Sequence, residues 1–139
     1  MEKLISLYDY AQENDVGVYF PYIGHFKSVI IKDIKDVDIL LDMKAISNEA
    51  EETECLAHEL GHFATGSYYN FDSTAETRSR LEYRANRWTV HKMLPFNELK
   101  DALLSDITEI WELAEYFNYT EDFVRKAIEI YRRQGLLID

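Results

Sequence analysis

The sequence predicts an α+β fold, with a small antiparallel sheet of about three strands packed on a helical core and C-terminal helices after it. Three observations predict it. Short β-branched and aromatic runs lie close together between residues 16 and 41, separated by turn residues. After Met43 the apolar spacing changes to a helical period punctuated by capping residues. The chain has 139 residues, 47% hydrophobic and 14% aromatic, enough to bury one core. It therefore reads as a single domain over 1–139. Residues 1–45 form a helix plus a strand meander, 46–95 a pair of helices, and 96–139 a C-terminal helical segment.

Each element has its own warrant. From Glu2 to Gln12, Leu4, Ile5, Leu7, Tyr8 and Ala11 form a helical stripe. Val16–Phe20, Ser28–Lys32 and Val37–Leu41 read as strands, and Pro21, Gly24 and the Asp33/Lys35/Asp36 cluster suit the turns between them. Asn48 followed by Glu51 is a capping-box signature. Glu49, Glu51, Glu52 and Glu54 place negative charge where the helix dipole favours it. That helix should run to about Thr65 and stop at Gly66. Ser67–Asp72 reads as a loop. Ser73 with Glu76 predicts a second capping box, opening a helix that ends at or before Pro95. Helical stretches at Asn97–Leu104, Ile107–Phe117 and Glu121–Gln134 complete the chain, the last closed by Gly135.

Composition excludes several classes. One Cys makes no internal disulfide and no Cys₂His₂ or Cys₄ zinc finger, and it fits a reducing, cytoplasmic setting. The first twelve residues, with their acids and tyrosines, resemble neither a signal nor a transit peptide. No apolar run approaches the roughly 20 residues of a membrane span. The net charge of −11 argues against direct nucleic-acid binding, which needs Lys and Arg to displace counterions. Most of the excess lies early, with 14 acids and 5 bases in residues 1–75.

The chemistry concentrates at His58-Glu59-Leu60-Gly61-His62, an HExxH inside the capped helix. Residues four apart on a helix lie one turn apart on one face, so both imidazoles can reach one Zn²⁺ at about 2.0–2.1 Å. Glu59 stands beside that face, where a catalytic base belongs. Gly61 leaves room for another backbone or a substrate. Half of the four histidines stand on this one face. A catalytic zinc needs a third protein ligand and an open position. The longer metzincin pattern would require Gly at Thr65 and His at Tyr68, so it does not apply. His91 is about 180° from Glu82 round its own helix, and His25 belongs to no motif. A carboxylate is the remaining choice, from Asp72 in the loop, Glu76 at the cap, or Glu82 in mid-helix with Ala85, Asn86 and Thr89.

His58-Glu59-Leu60-Gly61-His62, then Glu82-Tyr83-Arg84-Ala85-Asn86-Arg87-Trp88, then Met93-Leu94-Pro95, resembles the ImmA/IrrE family of metallopeptidases. The resemblance spans residues 55–95 and includes the preceding meander. It implies a gluzincin-like zinc endopeptidase with a zincin-like core, in which Glu82 is the third metal ligand with His58 and His62, and Glu59 is the general base. It further implies a cytosolic, phage- or mobile-element-associated anti-repressor that cleaves or acts on a helix-turn-helix repressor. Where many members carry an apolar run and a further His after the motif, this chain has Phe63-Ala64-Thr65-Gly66-Ser67-Tyr68-Tyr69.

Other residues have two readings each. Cys55, three residues before His58, could approach the metal, but a small buried hydrophobe is the commoner role. Tyr68 or Tyr69 could donate to an oxyanion or simply pack. Asn86, one turn after Glu82, could orient a metal ligand or pack between helices. Residues 110–127 read as a helix-turn-helix, yet residues 106–139 hold eight acids against four bases, which favours a structural or repressor-docking role over DNA reading. Two alternatives to the enzyme are therefore a non-catalytic repressor-binding protein of the same fold and a DNA-binding regulator.

Overall fold

A computed structural model describes residues 1–138. Six helices and three strands follow in the order α1 (Glu2–Glu13), β1 (Val16–Tyr19), β2 (Ser28–Lys32), β3 (Val37–Leu41), α2 (Glu49–Thr65), α3 (Ala75–Met93), α4 (Phe96–Leu104), α5 (Ile110–Phe117) and α6 (Glu121–Arg133). The α+β class expected from the sequence holds. So do the three strands, to within a residue.

The sheet is mixed, and here the expected antiparallel meander is corrected. Strand order is β1-β3-β2, with β1 parallel to β3 and β2 antiparallel to it. Residue composition explains the order. β3 is the most apolar strand, and its Ile39 and Leu41 are fully buried, so it takes the centre. Residues 20–27 form a link too long for a tight hairpin, which carries the chain past the place β3 will fill. The two-residue turn at Ile34 and Lys35 then makes the β2–β3 hairpin, its Asp33 carboxylate accepting from the backbone N–H of Lys35 and Asp36 at 2.8 Å each.

Helix α2 begins as its sequence dictates. Asn48 Oδ1 accepts from Glu51 N at 2.9 Å, and Gly66 closes the helix at φ +63°, a conformation that costs glycine nothing. Helix α3 begins one residue later than expected. Thr74, not Ser73, is its N-cap and accepts from Thr77 N at 3.1 Å, while Ser73 turns back to Asn70. Helix α5 starts at Ile110 instead of Ile107, because Asp106 takes a positive φ and the chain turns before Glu109.

The sheet packs on α2, and α2 pairs most extensively with α3. One continuous apolar cluster runs from Leu4 on α1 through Ile39, Leu56, Leu60, Val90 and Leu99 to Tyr131 on α6. Pro95 stops α3 and leaves its last carbonyls without helical partners. Those carbonyls are satisfied from a distance: Tyr119 Oη and Lys3 Nζ donate to Met93 O, and Tyr131 Oη donates to Leu94 O at 2.6 Å. No described helix is long and apolar enough to cross a membrane.

Candidate metal centre

Two helices bring the chemistry together, and one glycine sets how closely. A Cβ on Gly61 would lie 2.7 Å from Ala85 O and 2.7 Å from Thr89 Oγ1, so only glycine allows α2 and α3 to approach as they do. Thr89 Oγ1 fastens the crossing with bonds to Ala57 O (3.1 Å) and Ala85 O (2.9 Å). The nine-residue link between the helices then returns α3 antiparallel, and Glu82 arrives opposite the two histidines.

The three side chains converge. His58 Nε2 lies 3.1 Å from Glu82 Oε2, and His62 Nε2 lies 3.1 Å from Glu82 Oε1. The two Nε2 atoms are 3.2 Å apart. Their other nitrogens are already engaged. His62 Nδ1 faces Ser67 O at 2.7 Å, and a carbonyl only accepts, so Nδ1 carries the proton. His58 Nδ1 faces Asn86 Oδ1 at 3.0 Å and donates likewise. Both Nε2 atoms therefore present lone pairs to each other and to a carboxylate. Three acceptors at this separation repel unless a cation lies among them.

A tetrahedral ion with bonds of about 2.0–2.1 Å would space its ligands about 3.3–3.4 Å apart. The observed triangle is tighter by roughly 0.2 Å. The donor set of two imidazoles and one carboxylate thus fits a divalent ion, and three protein donors leave one position open. Among the described residues, His58, His62 and Glu82 are the one His/Cys/Asp/Glu group whose ligand atoms fall within such reach of one another. The alternatives Asp72 and Glu76 do not join it, and neither does Cys55. The Cys55 side chain packs against the core, and burial pushes its thiol pKa up. His91 instead meets Gln134 Oε1 at 3.1 Å and the Tyr131 ring. His25 stands exposed in the β1–β2 link.

Electrostatics agree with the geometry. Where no ion is bound, a proton on an imidazole Nε2 can take its place, and such hydrogen bonds from His58 and His62 hold the Glu82 carboxyl far below the usual carboxylate range, against the pull of partial burial. Burial opposes a charge on His62, yet Glu82 and the Ser67 carbonyl outweigh it and raise its pKa. Tyr69 Oη donates to Glu82 Oε1 at 2.7 Å, which with burial pushes the phenol up to about 12.

Glu59 is buried beside the triangle, and Ser28 Oγ donates to its Oε2 at 2.6 Å. Both border a cleft of about 680 Å³, whose wall includes His58, His62, Glu82, Tyr68, Tyr69 and residues 26–30 and 32. His58, Glu59, His62, Glu82, Tyr68 and Tyr69 line this cleft, and Asn86 reaches it through His58. Two contributors were not foreseen. Ser28 holds Glu59, and the one sequence cue is a polar side chain on the inward face of an apolar strand. Ser67 contributes through its backbone carbonyl, which no residue type announces.

The outer wall is the free edge of β2. Asp33 N donates to Asp36 O and Asp42 N donates to Lys27 O, which fixes the alternation of the β2–β3 ladder. In that register the backbone groups of Ser28, Ile30 and Lys32 point away from β3, at the free edge of the sheet, and these three residues border the cleft.

A family model, the IrrE N-terminal-like domain (Peptidase_M78), matches residues 45–129. No curated protein and no solved structure matches the chain.

Proposed function

Because the chain belongs to the IrrE N-terminal-like peptidase family, we propose that it is a zinc-dependent endopeptidase of the gluzincin-like HExxH type, acting on a protein substrate. The observation that carries the reading is the convergence of three proton-free donor atoms from His58, His62 and Glu82 beside a buried Glu59. When bound there, a zinc ion supplies Lewis-acid polarisation of the scissile carbonyl and a lowered pKa for water.

The chain's own groups do the rest. An extended peptide adds to the free edge of β2, pairing with the outward N–H and C=O groups of Ser28 and Ile30. Glu59 takes the proton of the attacking water and passes it to the leaving amine. Ser28 keeps the Glu59 carboxylate in place before substrate arrives. Tyr69, whose hydroxyl already reaches the triangle, donates to the oxygen that becomes negative, and Tyr68 closes the wall beside it. Asn86 and Ser67 hold the imidazole rings in register.

The substrate we infer is a helix-turn-helix transcriptional repressor, cleaved in the cytoplasm of a cell carrying the phage or mobile element. That part rests on family resemblance. Against a DNA-reading role stands the docking of α6. Its N-cap residue, Thr120, is held by Glu54, which accepts from Thr120 N (2.7 Å) and Thr120 Oγ1 (2.6 Å). Its Arg125 pairs with Glu121 and Asp122, and Arg133 with Glu129.

Purified protein should carry about one zinc per chain. His58→Ala and Glu82→Ala should lose it, and Glu59→Gln should keep zinc and lose cleavage by about a thousandfold or more. A repressor reporter separates the enzyme from a non-catalytic sequestering protein. Relief of repression by Glu59→Gln equal to that by the parent would refute the enzymatic reading. A sequence-specific gel shift at moderate salt would instead support a DNA-binding regulator.

A further inference from the structure

The cleft wall carries a cation that the hydrolytic chemistry does not use. Ser28, Ile30 and Lys32 alternate onto one face of β2, and all three border the cleft. Ser28 is engaged by Glu59, and Ile30 packs against the core. Lys32, at the far end, is exposed, with its ammonium 5.6 Å from the centroid of the Tyr68 ring. Among the described residues no carboxylate forms a salt bridge with it. The neighbouring Asp33 is turned onto the backbone of its own hairpin. The other wall cation, Lys27, is held by Glu51 at 2.8 Å. In a chain of net charge −11, an unpaired ammonium held over an aromatic face at the cleft is a selective feature.

Its position defines what it selects. Four residues of strand separate Lys32 from Ser28, about 13 Å at the usual rise. A peptide on the β2 edge advances at the same rate. Antiparallel addition is the more stable pairing, and it runs the N-terminal side of the peptide toward Lys32. We propose that Lys32 is a specificity determinant, selecting substrates with Asp or Glu three or four residues on the N-terminal side of the scissile bond. This deepens the peptidase reading and rests on it.

Binding and cleavage test the two ideas separately. Zinc-loaded Glu59→Gln protein is titrated with extended Ala/Val peptides carrying a single Glu, Gln or Lys, read by fluorescence anisotropy. The Glu peptide should bind about fivefold more tightly than the Gln peptide, and the preference should shrink as salt rises. Adding Lys32→Glu should reverse the order in favour of the Lys peptide. That gain also shows that the variant is folded. Equal binding of all three peptides, no binding at all, or an order indifferent to Lys32→Glu overturns the proposal. In parallel, the parent enzyme digests a peptide library. Acid enrichment three or four residues N-terminal to the cuts supports the proposal, and cuts without it, or with it on the C-terminal side, overturn it and leave the peptidase standing. Acid-selective binding with no cleavage of any peptide removes the peptidase reading and keeps the selectivity.

Discussion

The two halves of α2 use the same residue type for opposite purposes. In the first half, each carboxylate meets a donor. Glu51 accepts from Lys27 Nζ at 2.8 Å, Glu52 from Tyr8 Oη at 2.6 Å, and Glu54 from the backbone and hydroxyl of Thr120. In the second half, acceptors face acceptors, and Glu82 from α3 completes a triangle of lone pairs. The first half is satisfied and binds the fold together. The second presents a cluster of acceptors compatible with a cation. Charge counted along the sequence does not separate the two. Whether a carboxylate meets donors alone, or also two imidazole nitrogens that present lone pairs, does.

The largest way to break the difference is at the crossing. Gly61→Ala should cost about 3 kcal/mol, because the added Cβ meets the Ala85 carbonyl, a backbone atom that cannot swing aside. Widening the crossing also draws Glu82 away from the histidines. Zinc titration should therefore show an affinity loss of more than about a hundredfold, alongside a lowered Tm. A variant with parental Tm and affinity would show that the close approach is incidental.

Asn86→Ala acts on the second half alone. It should lower zinc affinity by about 10- to 100-fold and leave apo-protein unfolding nearly unchanged, as read by competition with a chelator and by denaturant titration. Glu54→Ala does the converse. Removing the acceptor of two Thr120 bonds should cost about 1–2 kcal/mol of stability, with zinc content and activity per folded molecule retained. Loss of zinc in that variant would mean that the two halves are one unit.

The smallest effect depends on pH. The Lys27 hydrogen bond, with Ser47 N, holds the Glu51 carboxyl below its ordinary value. A lowered folded pKa stabilises the native state above the unfolded value of about 4.3 and loses that contribution as pH falls through the folded one. Glu51→Gln should thus lower stability slightly at pH 7, by less than about 1 kcal/mol, read as a small drop in Tm, and the gap should close on acidification below pH 4. A gap that widened in acid would contradict the assigned sign.

What was legible follows the range of the interaction. The limits of α2 could be read because Asn48 and Gly66 act on their own neighbours. His58 and His62 could be read because four residues make one turn. Glu82 needed a helix pair to be imagined, and its neighbours Ala85, Asn86 and Thr89 supplied the face. The sheet order could not be read from strand propensity. Nothing in Val16–Tyr19 says whether its neighbour is β2 or β3, and its parallel pairing with β3 is a contact between segments about twenty residues apart. Ser28 stayed hidden because its partner Glu59 is 31 residues away in sequence, and Ser67 because it acts through its backbone alone.

The tied carbonyls at the end of α3 have a consequence for how the chain can be rearranged. A helix-turn-helix elsewhere is often a cassette, cut from one protein and joined to another. Here Tyr119 and Tyr131 reach back from that segment to complete the hydrogen bonding of the helix that carries Glu82. Excising residues 110–138 would strand the carbonyl of Leu94, leave that of Met93 to Lys3 alone, and bare the side of α3 that packs on α6. The C-terminal helices complete the helix pair that carries the candidate metal site, and any fusion or domain swap in this family member must carry them along.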